Sequence, residues 1–174
     1  MIVVLEGPDG AGKTFLAEHL REKFGLAYHR EGPPPVPRDR LALHYTGVLF
    51  NAVMDKMGGG KGTVLDRFAL SQSIYGPVYR GEDDFAEELA YLGKTLRRIG
   101  ALQVLCLPPL EMARACWSHR AGLGEEMIVR EDQWLEVYRR YEAARDTQDF
   151  VHDWTCEDSL GRLEKVLKAR GLAA

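Results

Sequence analysis

The chain has 174 residues, 45% hydrophobic and 28% charged, a size and balance that suit one compact α/β domain better than two and exclude a disordered chain. Against 26 Asp and Glu, 23 Lys and Arg leave a formal charge of −3, which disfavours extended nucleic acid as a partner but permits a small phosphorylated ligand held by a few local cations. The longest apolar run is far short of the ~20 residues that cross a bilayer, and the first residues lack a basic leader and cleavage site, so no membrane role and a cytoplasmic location are expected.

Residues 2–5, Ile-Val-Val-Leu, have the length and β-branching of a buried parallel strand. Glycines over 7–12 break it before a helical pattern that begins near Lys13, giving strand, loop, helix. A second short strand is predicted over 26–30, after which Gly32-Pro33-Pro34-Pro35-Val36-Pro37 excludes regular structure and leads to a helix over 40–57. Gly58-Gly59-Gly60 ends that helix, 63–65 reads as a buried strand, and Asp66-Arg67 stands at its carboxyl end. Phe85, Leu89, Leu92 and Leu96 fall at helical spacing within a helix predicted over 83–99. A third clear strand over 102–107 stops at Pro108-Pro109 and is followed by helices over 111–119 and 131–145, separated by the small segment Ala121-Gly122-Leu123-Gly124. A last strand over 150–155 and an amphipathic helix over 158–170 complete the alternation. The expectation is one open, mainly parallel sheet with helices on both faces, spanning 1–174 as a single domain, with ligands beyond the strand carboxyl ends. Cys106, Cys116 and Cys156 match no disulfide framework or metal motif and are expected to be reduced, packed thiols.

Gly7-Pro8-Asp9-Gly10-Ala11-Gly12-Lys13-Thr14 satisfies the pattern G-x-x-x-x-G-K-[ST], directly after a strand and before a helix. Glycines let backbone N–H groups turn inward around phosphate oxygens, and the helix amino terminus adds about half a positive charge. Lys13 reaches the β- and γ-phosphates, and the Thr14 hydroxyl is a ligand for Mg²⁺. ATP with Mg²⁺ is therefore the expected cosubstrate pair, and the expected fold is a three-layer P-loop NTPase type. The chain has no Asn-Lys-x-Asp guanine-reading segment, and its length suits a small-molecule kinase.

The stretch from Glu6 to Thr14 resembles the opening of thymidylate kinases, whose loop reads Glu-Gly-x-[Asp/Glu]-Gly-[Ala/Ser]-Gly-Lys-[Ser/Thr]. Asp66-Arg67-Phe68-Ala69-Leu70-Ser71-Gln72-Ser73-Ile74-Tyr75 is similar to that family's Asp-Arg-[Tyr/His]-x-x-Ser-x-x-Ala-Tyr segment, and His29-Arg30-Glu31-Gly32-Pro33 more weakly echoes its Thr-Arg-Glu-Pro-Gly turn. The resemblance implies a nucleoside monophosphate kinase acting on dTMP or a related pyrimidine nucleotide. It implies that Arg67 holds the acceptor phosphate, Asp66 arranges Mg²⁺ or the acceptor, Asp9 contacts the sugar, and Ser71 and Tyr75 line the base and sugar pocket. Residues 114–126 occupy the place of the lid that closes such kinases; Arg120 is the best candidate for a lid-supplied arginine, with Arg114 second. The likeness also places a homodimer face on Ala42, Leu43 and Tyr45 and the 83–99 helix, where core packing is the competing fate.

The sequence departs from that family at the acceptor side. Leu41 and Tyr45 stand where a base-stacking Phe and a phosphate-binding Arg are usual, leaving Tyr45 as the stacking candidate and Arg30, Arg38 or Arg40 as the replacement cation. Gln72 replaces a small hydroxyl residue, and the lid lacks the family's Asp-Arg-[Ile/Leu]-Glu string. A nucleoside, a modified-base nucleotide or a nucleic-acid hydroxyl therefore stays open as acceptor, as does a noncatalytic nucleotide-binding subunit. An ordinary strand-end ion pair is the other reading of Asp66-Arg67.

Overall fold

The computed structural model describes residues 1–30, 40–81, 85–124 and 130–172, the Arg80 side chain apart. The proline segment, Arg38, the predicted start of the 83–99 helix and the end of the lid segment lie outside these residues. Among the described residues, strands β1 (Ile2–Glu6), β2 (Ala27–Arg30), β3 (Thr63–Asp66), β4 (Leu102–Cys106) and β5 (Phe150–His152) form one sheet in the order β2-β3-β1-β4-β5, every pair parallel. Helices α1 (Lys13–Phe24), α2 (Leu41–Met57), α3 (Ala69–Arg80), α4 (Ala86–Arg98), α5 (Leu110–Gly122), α6 (Glu131–Ala143) and α7 (Ser159–Ala169) supply the crossovers and cover both faces. No helix among the described residues is long and apolar enough to cross a membrane.

The two-residue period of β1 divides the core. Val3 and Leu5 pack with Leu16, Leu20 and Phe24 of α1 and Leu163 and Leu167 of α7. Ile2 and Val4 face the opposite side, against α2 and the predicted stripe Leu89, Leu92 and Leu96 of α4. A third cluster joins Leu105 and Leu107 to Ile74, Trp117, Trp134, Val137 and Tyr141, binding α3, α5 and α6 to the β4 end of the sheet.

The strands and helices fall largely where the sequence places them, with three differences. Strand β5 ends at His152, where Asp153 and Ser159 turn the chain into α7. Helix α6 stops at Ala143 and continues as a single 3-10 turn, Arg145–Thr147. Helix α3 has no counterpart in the sequence reading, because Gly76 and Pro77 interrupt its pattern and its start carries no local cap. Cys106 is buried and Cys116 half-buried as expected, but Cys156 is exposed and hydrogen-bonds Asp158, correcting the expectation of three packed thiols.

The cap of α3 comes from the end of β1, sixty-odd residues earlier in the chain. Glu6 is fully buried, and its carboxylate accepts the N–H groups of Phe68 at 3.1 Å, Leu70 at 3.2 Å and Ser71 at 3.1 Å, together with the Ser71 hydroxyl. A carboxylate at a helix amino terminus satisfies orphan N–H groups and meets the positive end of the helix dipole. The Ser71 hydroxyl lies 2.6 Å from that of Tyr141, tying α6 into the same network. Burial pushes the Glu6 carboxyl up to about 7, against the hydrogen bond from Ser71 and the nearby Arg67 cation.

Two outcomes follow for stability. Glu6→Gln should lower unfolding free energy by about 1–3 kcal/mol, since an amide cannot accept from all four donors. Because burial raises Glu6 from 4.5 to about 7, its proton-linked stability is complete below the lower value and is lost as pH rises through the upper one. Urea unfolding across this range should show that decline in the wild type and not in Glu6→Gln.

Candidate active site

The loop after β1 is wedged between the sheet and α5. A Cβ on Gly7, at φ 145°, would lie 2.3 Å from the Cys106 carbonyl oxygen; one on Gly10, at φ 84°, would lie 2.6 Å from the Ala113 carbonyl oxygen. From the other side the Trp134 indole donates to the Asp9 carbonyl at 3.1 Å while stacking on Trp117, with ring centroids 5.1 Å apart. This aromatic layer fixes the loop's height above the sheet.

Lys13 opens α1, and its buried ammonium donates to the Gly7 carbonyl at 2.9 Å and the Pro8 carbonyl at 2.6 Å. Burial, then the neighbouring Arg67 cation, pushes its pKa down to about 8. The loop thus holds a cation that an anionic ligand would stabilise further.

Arg67 sits between β3 and α3 with φ 74°, a left-handed conformation that costs a non-glycine residue about 1–2 kcal/mol. Its N–H continues the sheet by donating to the Leu5 carbonyl at 2.9 Å. Its guanidinium donates to the Gly7 carbonyl at 3.2 Å, pairs with Asp9, and lies 4.7 Å over the Tyr75 ring. The Tyr75 hydroxyl donates to the other Asp9 oxygen at 3.0 Å. Burial alone would raise the Asp9 carboxyl, but the Arg67 and Lys13 cations hold it below its ordinary value. Burial raises the Tyr75 phenol, so it remains a donor.

Asp66 is buried at the end of β3, with Oδ2 accepting the Tyr28 hydroxyl at 3.0 Å. Its Oδ1 has no hydrogen-bond partner among the described residues.

These groups open on one cavity of about 260 Å³, lined by residues 9–15 together with Arg30, Asp66, Arg67, Cys116 and Arg120. Four cationic side chains, Lys13, Arg30, Arg67 and Arg120, meet two carboxylates there, an excess that suits a polyphosphate. The sequence-predicted Asp9, Gly10, Ala11, Gly12, Lys13, Thr14, Arg30, Asp66, Arg67 and Arg120 are therefore brought together, with the Gly7 carbonyl and Tyr75 bonded to them. Residues 114–122 of the lid segment form the second part of α5, from which Arg120 reaches the cavity. Arg114 instead pairs with Glu131 on the surface.

Two expected residues are placed elsewhere. Tyr45 is only 3% exposed and packs edge-on against Phe68, ring centroids 5.3 Å apart, because it lies on the core face of α2. Ser71 turns inward to Glu6 and Tyr141, because the first turn of α3 needs its hydroxyl there. The sequence reading missed Glu6, Tyr28, Trp134 and Tyr141 as supports. Two of them carried a usable signal: Glu6 opens the loop motif, and Tyr28 precedes Arg30 by two residues on a strand and so shares its face.

The fold is similar to that of the Bacillus subtilis YorR protein, solved in complex with phosphorylated GDP, with a TM-score of 0.69 over 100% of this chain and 99% of that one at 13% identity. It is also similar to deoxyadenosine kinase from M. mycoides. The form with bound dCTP gives a TM-score of 0.60, covering 97% of this chain and 100% of that one at 16% identity; the form with bound dATP gives 0.62 over the same shares at 15%. The chain therefore shares the α/β fold of these proteins, a parallel sheet flanked by helices. No family model and no curated protein matches the sequence.

The depressed Lys13 pKa gives the cavity a measurable signature. A bound polyphosphate should restore the ammonium charge, so tripolyphosphate binding should take up roughly one proton near pH 9 and little at pH 7. Calorimetry in buffers of different ionisation enthalpy measures this uptake.

Proposed function

We propose that the protein is an ATP-dependent kinase of a deoxynucleoside monophosphate, formed as one domain with the second part of α5 acting as its lid. The observation that supports this most is the convergence of Lys13 and Arg67 on a single cavity at the carboxyl ends of β1 and β3. The motif resemblance makes dTMP or a related pyrimidine nucleotide the acceptor to test first.

In this reading the ATP phosphates lie along the amides of residues 9–14. Lys13 exchanges the Gly7 and Pro8 carbonyls for β- and γ-phosphate oxygens, and Arg67 exchanges Asp9 for the acceptor phosphate. An acceptor phosphate oxygen attacks γ-phosphorus as the bond to the bridging oxygen breaks, giving a diphosphate and ADP. Arg120 adds positive charge beside the transferring group, and α5 restricts water there. Thr14 and Asp66 Oδ1, which has no partner among the described residues, would hold a magnesium ion, and that ion would supply charge neutralisation to the phosphates. Positioning and charge carry the chemistry. Of the expected homodimer face, Leu43 is exposed on α2 together with Phe50, Met54 and Met57, whereas Tyr45 and the α4 stripe Leu89, Leu92 and Leu96 are buried in the core.

A second reading takes a nucleoside hydroxyl as acceptor. It is favoured by the Asp9–Arg67 pair, which already neutralises the acceptor-side cation, and by the fold shared with deoxyadenosine kinase.

Saturating ATP with a panel of nucleosides, nucleoside monophosphates and oligonucleotides, read by product mass, separates these readings. Diphosphate products are expected; monophosphates from nucleosides would establish the second reading. Lys13→Ala should lower turnover by roughly 10²–10³-fold. Arg67→Ala should lower kcat/KM for the monophosphate by roughly 10²-fold while leaving acceptor-independent ATP hydrolysis within a few-fold. Equal losses in both reactions would contradict the division of roles.

A further inference from the structure

We infer that Tyr28 is a positioning residue that orients Asp66 toward the divalent cation of the bound nucleotide. The inference rests on the reading of Asp66 as a cation holder. Its basis is the hydrogen bond by which the phenol holds one oxygen of the Asp66 carboxylate and leaves the other.

The Tyr28 hydroxyl has a single proton, which it donates to Asp66 Oδ2 at 3.0 Å. Pinning Oδ2 stops rotation of the Asp66 carboxylate and leaves Oδ1, buried and without a partner among the described residues, as its available oxygen.

Asp66 lines the cavity, whereas Tyr28 holds it from outside that lining. Tyr28 belongs to β2, whose register sets Tyr28 beside Val64 and Arg30 beside Asp66, so the phenol approaches Asp66 from the adjacent strand. Burial and the Asp66 charge push its pKa up to about 12, keeping it a donor across the working pH range. Tyr28 touches neither phosphate nor reacting atoms in this arrangement.

The test compares ADP binding by calorimetry with and without Mg²⁺ for the wild type, Tyr28→Phe, Tyr28→His and Asp66→Asn, with thermal melting as the check on folding. Tyr28→Phe should weaken the apparent Mg²⁺ affinity of the ADP complex roughly 10-fold or more, with metal-free ADP affinity and melting temperature little changed. Tyr28→His keeps a ring donor and should recover part of that loss, which also covers the case of a Phe variant that folds poorly. If Asp66→Asn removes the Mg²⁺ effect while Tyr28→Phe and Tyr28→His leave it intact, the inference is overturned and the cation reading stands. If Asp66→Asn leaves the Mg²⁺ effect intact, the cation reading fails and the inference with it.

Discussion

The Glu6 carboxylate joins the two halves of the site. It belongs to the last residue of β1, so the phosphate loop begins at the next peptide, and it grips the N–H groups of Phe68, Leu70 and Ser71, so Arg67 is held one residue before the gripped segment. A single buried side chain thus sets the distance between the loop and Arg67. It explains how Arg67 can keep a left-handed backbone, since the residues on one side are fixed by Glu6 and its own N–H is fixed by Leu5. Tyr141 carries the network on to α6, and Trp134 of the same helix supports the loop from the opposite side.

Within that frame Lys13, Arg67 and Asp9 each have hydrogen-bond partners in the ligand-free protein. Lys13 uses loop carbonyls, Arg67 uses Asp9 and the Gly7 carbonyl, and Tyr75 closes the far side of Asp9. The Gly7 and Pro8 carbonyls and the Asp9 carboxylate are acceptors that a phosphate oxygen can replace at similar distance. Ligand binding then becomes an exchange of hydrogen bonds rather than the filling of an unsatisfied site, which limits the desolvation penalty of burying two cations close together.

The phosphate loop was legible in the sequence because its physics is local: glycines, one lysine and one hydroxyl within eight residues, next to a strand and a helix. The sheet was legible because β1, β3 and β4 are short, mostly apolar runs with clear breaks. Asp66 and Arg67 were legible from their place at a strand end. Helix α3 was not, since its cap lies on another strand and Gly76-Pro77 masks its period. Tyr45 and Ser71 were placed at the acceptor by motif register, and both are drawn inward by contacts absent from local sequence, the edge contact with Phe68 and the bond to Glu6. Long-range partners, rather than residue type, decided these positions.

The central claim is that donor and acceptor phosphates share one crevice bridged by Lys13 and Arg67. A crystal structure with a bisubstrate analogue, two nucleosides joined through a polyphosphate chain, addresses it most directly. The account predicts phosphates running from the amides of residues 9–14 to the Arg67 guanidinium, with Arg67 released from Asp9. An analogue bound at the loop with Arg67 still on Asp9 and the Gly7 carbonyl, and its second nucleoside lying away from Arg67, would contradict it.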